Sequence, residues 1–480
     1  MVHPQRRWVT SIGKPRGRLV ILGSGWAGLK ILKGINTKDY DVVMISPRNH
    51  FVFTPLLAST AVGTLEFRAI VEPVRIHNKD AAYYQAWCDG VDLEKKELVC
   101  QPALPDAGPL GTNTKFNVAF DKLIIAVGAY SNTFGVPGVV ENGFFLKEID
   151  HARRLRARII ECFELASEPT TSDEDKLKLS FQRQRHMPTV STSLSLPSWE
   201  VDQRESSSAL NYTVTSLTSG SPNWVVPYQN IITDFIKDDL TKLYPQLMSK
   251  VQISVYDVAE KILGGFDVKL QEYAMKKFSR DGIKIKTKTF IKEVQKHKIV
   301  LKDGSEIPFG ALVWATGITE TPLTKSLDVT KDKRTQRVIT DDFLRLLRKD
   351  GTPMQDVYAL GDCAMIKDHP LPATAQVAAQ QGTWLKKHLN DLAKFKEDKQ
   401  PFTYHHAGSM VYTGSWKALM DRGDPTDPKH ENTRTNLSGR LAWLIWRSAY
   451  LTKSVSAKNK ALIPMYWFLT WLFGRDISKF

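Results

Sequence analysis

Six residues early in the chain, Gly23-Ser24-Gly25-Trp26-Ala27-Gly28, have the types and spacing to hold a pyrophosphate. The run "RLVILGSG" reads as a buried strand ending in glycines, and "WAGLKILKGI" then takes helical spacing. Gly23 permits a tight turn, Gly25 lets phosphate oxygens approach the backbone, and Gly28 lets helix and strand pack closely. The helix N-terminus adds N–H groups and the positive end of its dipole. Trp26 opens that helix and is counted with the cofactor contacts. A second strand, "YDVVMIS", would ordinarily end in an acid that binds ribose hydroxyls. Ser46 stands there instead and can hydrogen-bond a ribose, while Arg48 can reach the pyrophosphate or the adenine.

A second constellation lies late in the chain. "VYALGDCA" places Gly361 and Asp362 after a strand, where glycine lets a ribityl chain pass and the carboxylate accepts from its hydroxyls. "DKLIIAVGA" is another strand running into a glycine turn, with Ala126 and Gly128 at its end. Together these features point to FAD. The long helix "ATAQVAAQQGTWLKKHLNDL", beginning near Ala373, carries Gln376, Gln380 and Gln381. A Gln side chain both donates and accepts, which suits a quinone carbonyl, although a solvated helix face explains Gln380 and Gln381 as simply.

The elements that must position these residues are those of an α/β protein. Strand, helix and strand open the chain as a β-α-β unit of a doubly wound parallel sheet. Residues 147–166 read as one amphipathic helix and "IITDFIKDDLTKLYPQL" as another. The 480 residues suit two or three domains. Lys and Arg outnumber Asp and Glu by 66 to 51, a net +15 that suits an anionic lipid surface or a basic targeting segment; no nucleic-acid motif accompanies it. Residues 1–17 are basic and free of acids, as in a transit remnant or a lead-in to the first strand. Four cysteines, Cys88, Cys100, Cys162 and Cys363, lack C-x-x-C spacing, which indicates free thiols in a reducing compartment rather than a zinc ribbon or a local redox disulfide. No metal-binding pattern is present, and the absence of a D-x-[DN]-x-[DN]-G loop excludes an EF-hand form.

"SPRNHFVFTPLLASTAVGTLEFRAIVEPVR", "LIIAVGAYSNTFGVPGV", "VYALGDCA", "ATAQVAAQQG" and "WRSAYLTKSVS" with a terminal "FGRDIS" resemble, in this order, the type II NADH:quinone oxidoreductases. The resemblance covers roughly residues 18–180 and 231–480. It implies two Rossmann-like domains, for FAD and NADH, plus a C-terminal membrane-associating region. It also implies oxidation of NADH with electron transfer to ubiquinone, without proton pumping, by a peripheral homodimer of the mitochondrial inner membrane. By the same resemblance Thr54, Pro55 and Leu56 line the flavin environment, Ala375 and Gln376 lie against the flavin ring, and Gln376 and Gln380 face the quinone. Asp257, ending "VQISVYD", would bind the adenosine ribose of NADH and disfavour NADPH by charge repulsion. Ala315, Thr316 and Gly317 form a later turn beside the nicotinamide path.

One part of the pattern is missing. The family's second glycine fingerprint belongs between residues 181 and 250, where the only glycine is Gly220. Residues 181–230 are rich in Ser and Thr and read as loop, with the composition of intron-derived sequence. Loss of the strand expected there would uncover sheet edges. "NWVVPYQN" offers a substitute strand, Trp224 to Val226, with Pro227 where glycine is needed. NADH turnover is accordingly expected to be impaired.

The organisation expected is a lead at 1–17, an FAD domain at 18–165 and 336–400, an NADH domain at 166–335 holding the insert, and a dimerisation and membrane region at 401–480. From Pro464 to Phe473 the chain is nearly all apolar, too short to span a bilayer but enough to seat Trp467, Phe468, Trp471 and Phe473 in an interface. A core or dimer-interface helix would show the same pattern. Two other readings share the architecture: a sulfide:quinone oxidoreductase, which needs paired redox cysteines, and a flavoprotein that binds FAD and membrane without turnover.

Overall fold

The computed structural model describes residues 16–104, 114–171, 210–215, 225–260, 262–263, 266, 268–396, 400–423, 436–454 and 456–478. In chain order the elements used below are β1 (Arg18–Leu22), α1 (Trp26–Leu32), β2 (Asp41–Ser46), β3 (Ala82–Asp92), β4 (Glu97–Pro102), β5 (Phe116–Ala119), β6 (Lys122–Ile125), α2 (Ile149–Ser167), β7 (Leu210–Thr215), α3 (Val225–Phe235), β8 (Val251–Tyr256), β9 (Ile283–Lys286), β10 (Ala311–Trp314), β11 (Pro353–Ala359), α4 (Ala375–Leu392), α5 (Arg440–Lys453) and α6 (Ala457–Phe473).

The described residues of Met1–Phe51, Pro73–Tyr130 and Thr319–His405 form one unit. Its sheet carries a parallel core in the order β11, β6, β1, β2, β3, extended by antiparallel β4 and β5. β1 sits at the centre, which explains its unbroken apolar run: Leu19 and Ile21 pack into one core, Val20 and Leu22 into the core on the opposite face. Each such fully buried side chain stabilises the fold by about 1.5–3 kcal/mol. α1 and α4 cover the first face through Ala27, Ile31, Ala378 and Leu385. Gly382 sets their closeness, because a Cβ there would stand 2.7 Å from the Ala27 carbonyl oxygen.

Val52–Glu72, Ser131–Ile318 and His406–Phe480 form the second unit. Its parallel sheet runs β9, β8, β7, β10. β7 is the surprise. It lies inside the stretch expected to be loop, yet Leu210 to Thr215 pair in register with Val251 to Tyr256 on one side, and Tyr212 to Thr215 with Ala311 to Trp314 on the other. No sheet edge is uncovered at that position. Ladder bonds come from the backbone, and Tyr-Thr-Val-Thr has strong strand preference, so a Ser/Thr-rich average conceals a usable strand. Of the expected substitute strand at Trp224–Val226, Val225 and Val226 lie in α3, and Trp224 lies outside the described residues. Pro227 lies in the first turn of that helix, where backbone N–H groups have no intrahelical acceptor and a missing one costs nothing.

The C-terminal part of this unit is stitched to the rest of it. The Asp234 carboxylate accepts from the Tyr412 hydroxyl and from the Ser415 N–H at 3.0 Å. Arg475 pairs with Asp239 and donates to Thr64 Oγ1 at 2.9 Å. Arg156, buried on α2, pairs with Asp476 at 2.8 Å. In α6, Ile463 is fully buried while Phe468, Trp471 and Phe473 are exposed.

Candidate functional site

In the first unit the three glycines of the fingerprint each have a distinct steric reason. Gly23 has φ +99°, and a Cβ there would meet the Ala126 carbonyl oxygen at 2.3 Å. A Cβ at Gly28 would meet the Gly23 carbonyl oxygen at 1.9 Å, so helix and strand pack only because it is missing. At Gly25 a Cβ would meet nothing within 4 Å. Gly25 is the N-cap of α1 and no side chain caps it. Two glycines therefore serve packing, and the third leaves open space at a helix N-terminus, the arrangement a pyrophosphate fits.

Ser46 ends β2 as expected, but it is buried and its hydroxyl is 2.8 Å from that of Ser24. The Arg48 N–H points at the same oxygen over a long 3.5 Å. The carbonyl of Arg48 accepts from the Tyr83 hydroxyl, which fixes the turn after β2. Trp26 packs edge-on against Phe51, with ring centroids 5.1 Å apart. Gly128, past the end of β6, has φ +71°.

The Gly361–Asp362 turn is held from both sides. The Gly361 N–H donates to Gln381 Oε1 at 2.8 Å, and its carbonyl accepts from Arg337 Nη2 at 3.2 Å. Arg337 Nη1 also donates to the Leu371 carbonyl at 3.0 Å. Burial lowers the pKa of Arg337, and the carboxylate of Asp362 opposes that shift. Gln381 and Arg337 were not legible as site residues. The alternative of a solvated helix face does not hold for Gln381, which is buried on the side of α4 that meets the turn. No local pattern marked Arg337.

α4 starts at Ala375 behind the N-cap Thr374, whose hydroxyl accepts from the Val377 N–H at 3.3 Å. Gln376 accepts through Oε1 from the Tyr404 hydroxyl at 2.6 Å. Gln380 is tied at both ends of its amide to the backbone of His405, donating at 2.8 Å and accepting at 3.0 Å. The two glutamines expected at the quinone thus have different surroundings: one is oriented by a phenol, the other braces a strand of backbone.

The second unit holds the remaining expected residues. Thr54 and Pro55 form a 3-10 turn with Leu56, half-buried beside that buried leucine. Asp257 is buried after β8, and its carboxylate accepts from the Ala259 N–H at 2.8 Å. The Thr316–Gly317 turn packs on Asn132: the Thr316 hydroxyl and the Trp314 indole both donate to the Asn132 carbonyl, and the Asn132 N–H donates to the Gly317 carbonyl at 2.8 Å. The residues after β7, including Gly220, lie outside those described.

The four cysteines are free thiols. Cys88 on β3 and Cys100 on β4 are directly opposed across the antiparallel pair, although eleven residues separate them in the chain. Spacing along the chain concealed a local pair. Cys162 and Cys363 are buried, and burial raises both thiols to about 11.

The family model for pyridine nucleotide-disulphide oxidoreductases matches residues 17–166 and 243–382, and the model for the NDH2 C-terminal domain matches 406–476. The gap between the first two matches contains β7. An internal alternative NAD(P)H-ubiquinone oxidoreductase of Arabidopsis thaliana mitochondria is 36% identical, covering 96% of this chain and 85% of the relative. A probable NADH dehydrogenase of Dictyostelium discoideum is also 36% identical, with 96% and 91% covered. Among solved structures, NDH2 of Plasmodium falciparum in complex with NADH superposes with a TM-score of 0.80 at 23% identity, covering 97% of this chain and all of that one. The sulfide:quinone oxidoreductase of Aquifex aeolicus superposes with a TM-score of 0.66 at 15% identity, with 96% of each chain covered. These two superpositions show the fold.

Proposed function

This chain belongs to the type II NADH dehydrogenases, and from that membership we propose that it oxidises NADH and reduces ubiquinone through a bound FAD, without pumping protons. FAD supplies hydride acceptance from NADH and delivery of two electrons to the quinone. The observation that carries this reading is the three-glycine turn, in which Gly25 alone opens into free space at the N-terminus of α1.

The other roles are those that the family resemblance implies. Gly361, clamped by Gln381 and Arg337, sets the position of Asp362 for the ribityl hydroxyls. Ser46 and Arg48 serve the adenosine end, and Thr54, Pro55 and Ala375 the flavin ring. The Tyr404 hydroxyl orients Gln376 so that its amide NH2 can donate to a quinone carbonyl; Gln380 supports it by holding His405. Asp257 takes the ribose of NADH, and Thr316 and Gly317 border the nicotinamide. With only Gly220 between β7 and β8, the pyrophosphate of NADH is gripped less tightly than that of FAD.

Rapid mixing of the FAD-loaded protein with NADH tests this. Flavin bleaching that saturates only at high NADH is expected. Bleaching by sulfide and not by NADH would replace the reading with a sulfide:quinone oxidoreductase. Bleaching by neither would leave a flavoprotein without turnover.

The same proposal places the protein in mitochondria, as a peripheral homodimer of the inner membrane. No helix among the described residues is long and apolar enough to cross a membrane. α6 instead exposes Phe468, Trp471, Leu472 and Phe473, and α5 exposes Leu441 and Leu444. The Arg447 guanidinium lies 4.5 Å from the Trp443 ring centroid and 4.1 Å from that of Trp467, the mixture of indole and cation that suits an interface. Replacing Phe468 and Trp471 by Ser should abolish pelleting with anionic vesicles while changing stability by less than about 1 kcal/mol. Pelleting unchanged from the parent would remove the anchor from the proposal. Truncation at Leu462 is a poorer test, because it also deletes the buried Ile463 and the Arg475 and Asp476 ion pairs.

A further inference from the structure

The Cys88–Cys100 pair lies outside every role assigned above. In an antiparallel ladder, directly opposed residues hold their Cα atoms about 4.5–5.5 Å apart. A disulfide needs roughly 4.4–6.8 Å. The register therefore brings these two residues within bonding span with no movement of the strands. Both side chains lie on the same face of the ladder and pack against one hydrophobic core. A β-bulge follows at once: the register shifts between Cys88 and Gly90, and the Cys88 thiol reaches the Gly90 carbonyl at 3.4 Å. The two sulfurs differ in access, with Cys88 part-exposed and Cys100 buried. That division suits one attacking and one resolving thiol.

We infer that Cys88 and Cys100 form a redox-active dithiol that closes to a cross-strand disulfide by exchange with a small disulfide of the glutathione type. The Cys88 thiolate attacks one sulfur of glutathione disulfide, forms a mixed disulfide and expels one glutathione thiolate. The Cys100 thiolate then attacks Cys88 Sγ, forms the intramolecular S–S bond and expels the second. Two cysteine thiols are oxidised, one small disulfide is reduced, and the two protons lost by the cysteines are taken up by the two glutathione thiolates. The closed form pins β3 to β4. The exchange reverses with excess glutathione.

The test uses the wild-type FAD-loaded protein. It is equilibrated in glutathione buffers of graded reduced-to-oxidised ratio, quenched with acid, alkylated and mapped by peptide mass spectrometry. A Cys88–Cys100 disulfide should appear along the series and revert on adding glutathione, while Cys162 and Cys363 stay alkylated. Oxidation should raise Tm, and Cys100→Ser should lose that rise and accumulate glutathione on Cys88. The proposal fails if both thiols survive the most oxidising buffer. It also fails if wild-type Cys88 ends as a stable mixed disulfide, or if the S–S bond forms only with denaturant present.

Discussion

The two parallel sheets place an early strand in the same position and follow it differently. β1 lies between β6 and β2; β7 lies between β10 and β8. After β1 comes a turn in which two added methyl groups would collide with backbone at 2.3 and 1.9 Å. After β7 comes "SLTSGSPNW", with a single glycine. The contrast separates two kinds of specification. A central strand is defined by ladders on both sides and tolerates any sequence of strand-forming residues. A phosphate turn is defined by atoms that must be absent, so it tolerates almost none. A segment can therefore keep such a strand without carrying the glycines of such a turn, which preserves the ladders of the sheet.

Three substitutions break or sharpen that contrast. The largest effect is expected at Gly25→Val. Its side chain enters space that nothing in the protein occupies, so the chain should still fold while FAD binding weakens about a hundredfold, roughly 2.8 kcal/mol. Flavin absorbance per protein after gel filtration measures it, and a variant that purifies fully yellow would overturn the assignment of the turn. The second is a graft. Replacing Ser216–Ser221 by the Gly23–Gly28 sequence should tighten NADH about tenfold, or 1.4 kcal/mol, in bleaching titrations, and leave flavin content alone. Unchanged NADH affinity would mean that the second unit never used such a turn. The third is Gln381→Leu, which leaves the buried Gly361 N–H without an acceptor at a cost of about 1–3 kcal/mol. Denaturant unfolding should show it, and Gln380→Leu, acting on the less buried His405 backbone, should show less; equal losses would remove Gln381 from the cofactor turn.

Legibility in the sequence followed the same division. The glycine turn could be read because its requirement is local: six residues carry the steric argument, and Gly23 and Gly28 have the turn and packing roles that spacing gave them. α2 and α4 showed in their periodicity. β7 did not, because its pattern is short and its surroundings are Ser/Thr-rich; what makes it a strand is supplied by Val251–Tyr256 and Ala311–Trp314, which lie tens of residues away. Pro227 was misread for a related reason, since a proline looks the same whether it blocks a strand or begins a helix. Gln381, Arg337 and the Cys88–Cys100 pair share one cause. Their partners are fixed by register and packing, so residue types and spacing alone do not mark the contact.

The tie between Thr64 and Arg475 has a consequence for the order of assembly. These residues are 411 positions apart, so on the ribosome Thr64 waits through most of synthesis for its partner. The second unit cannot close early. Its last stitches, at Arg475 and Asp476, form just after α6 has emerged with its apolar face outward. Completion of the body and presentation of the greasy helix are therefore one event in time. A chain still being made lacks both the last stitches of the second unit and its exposed apolar helix.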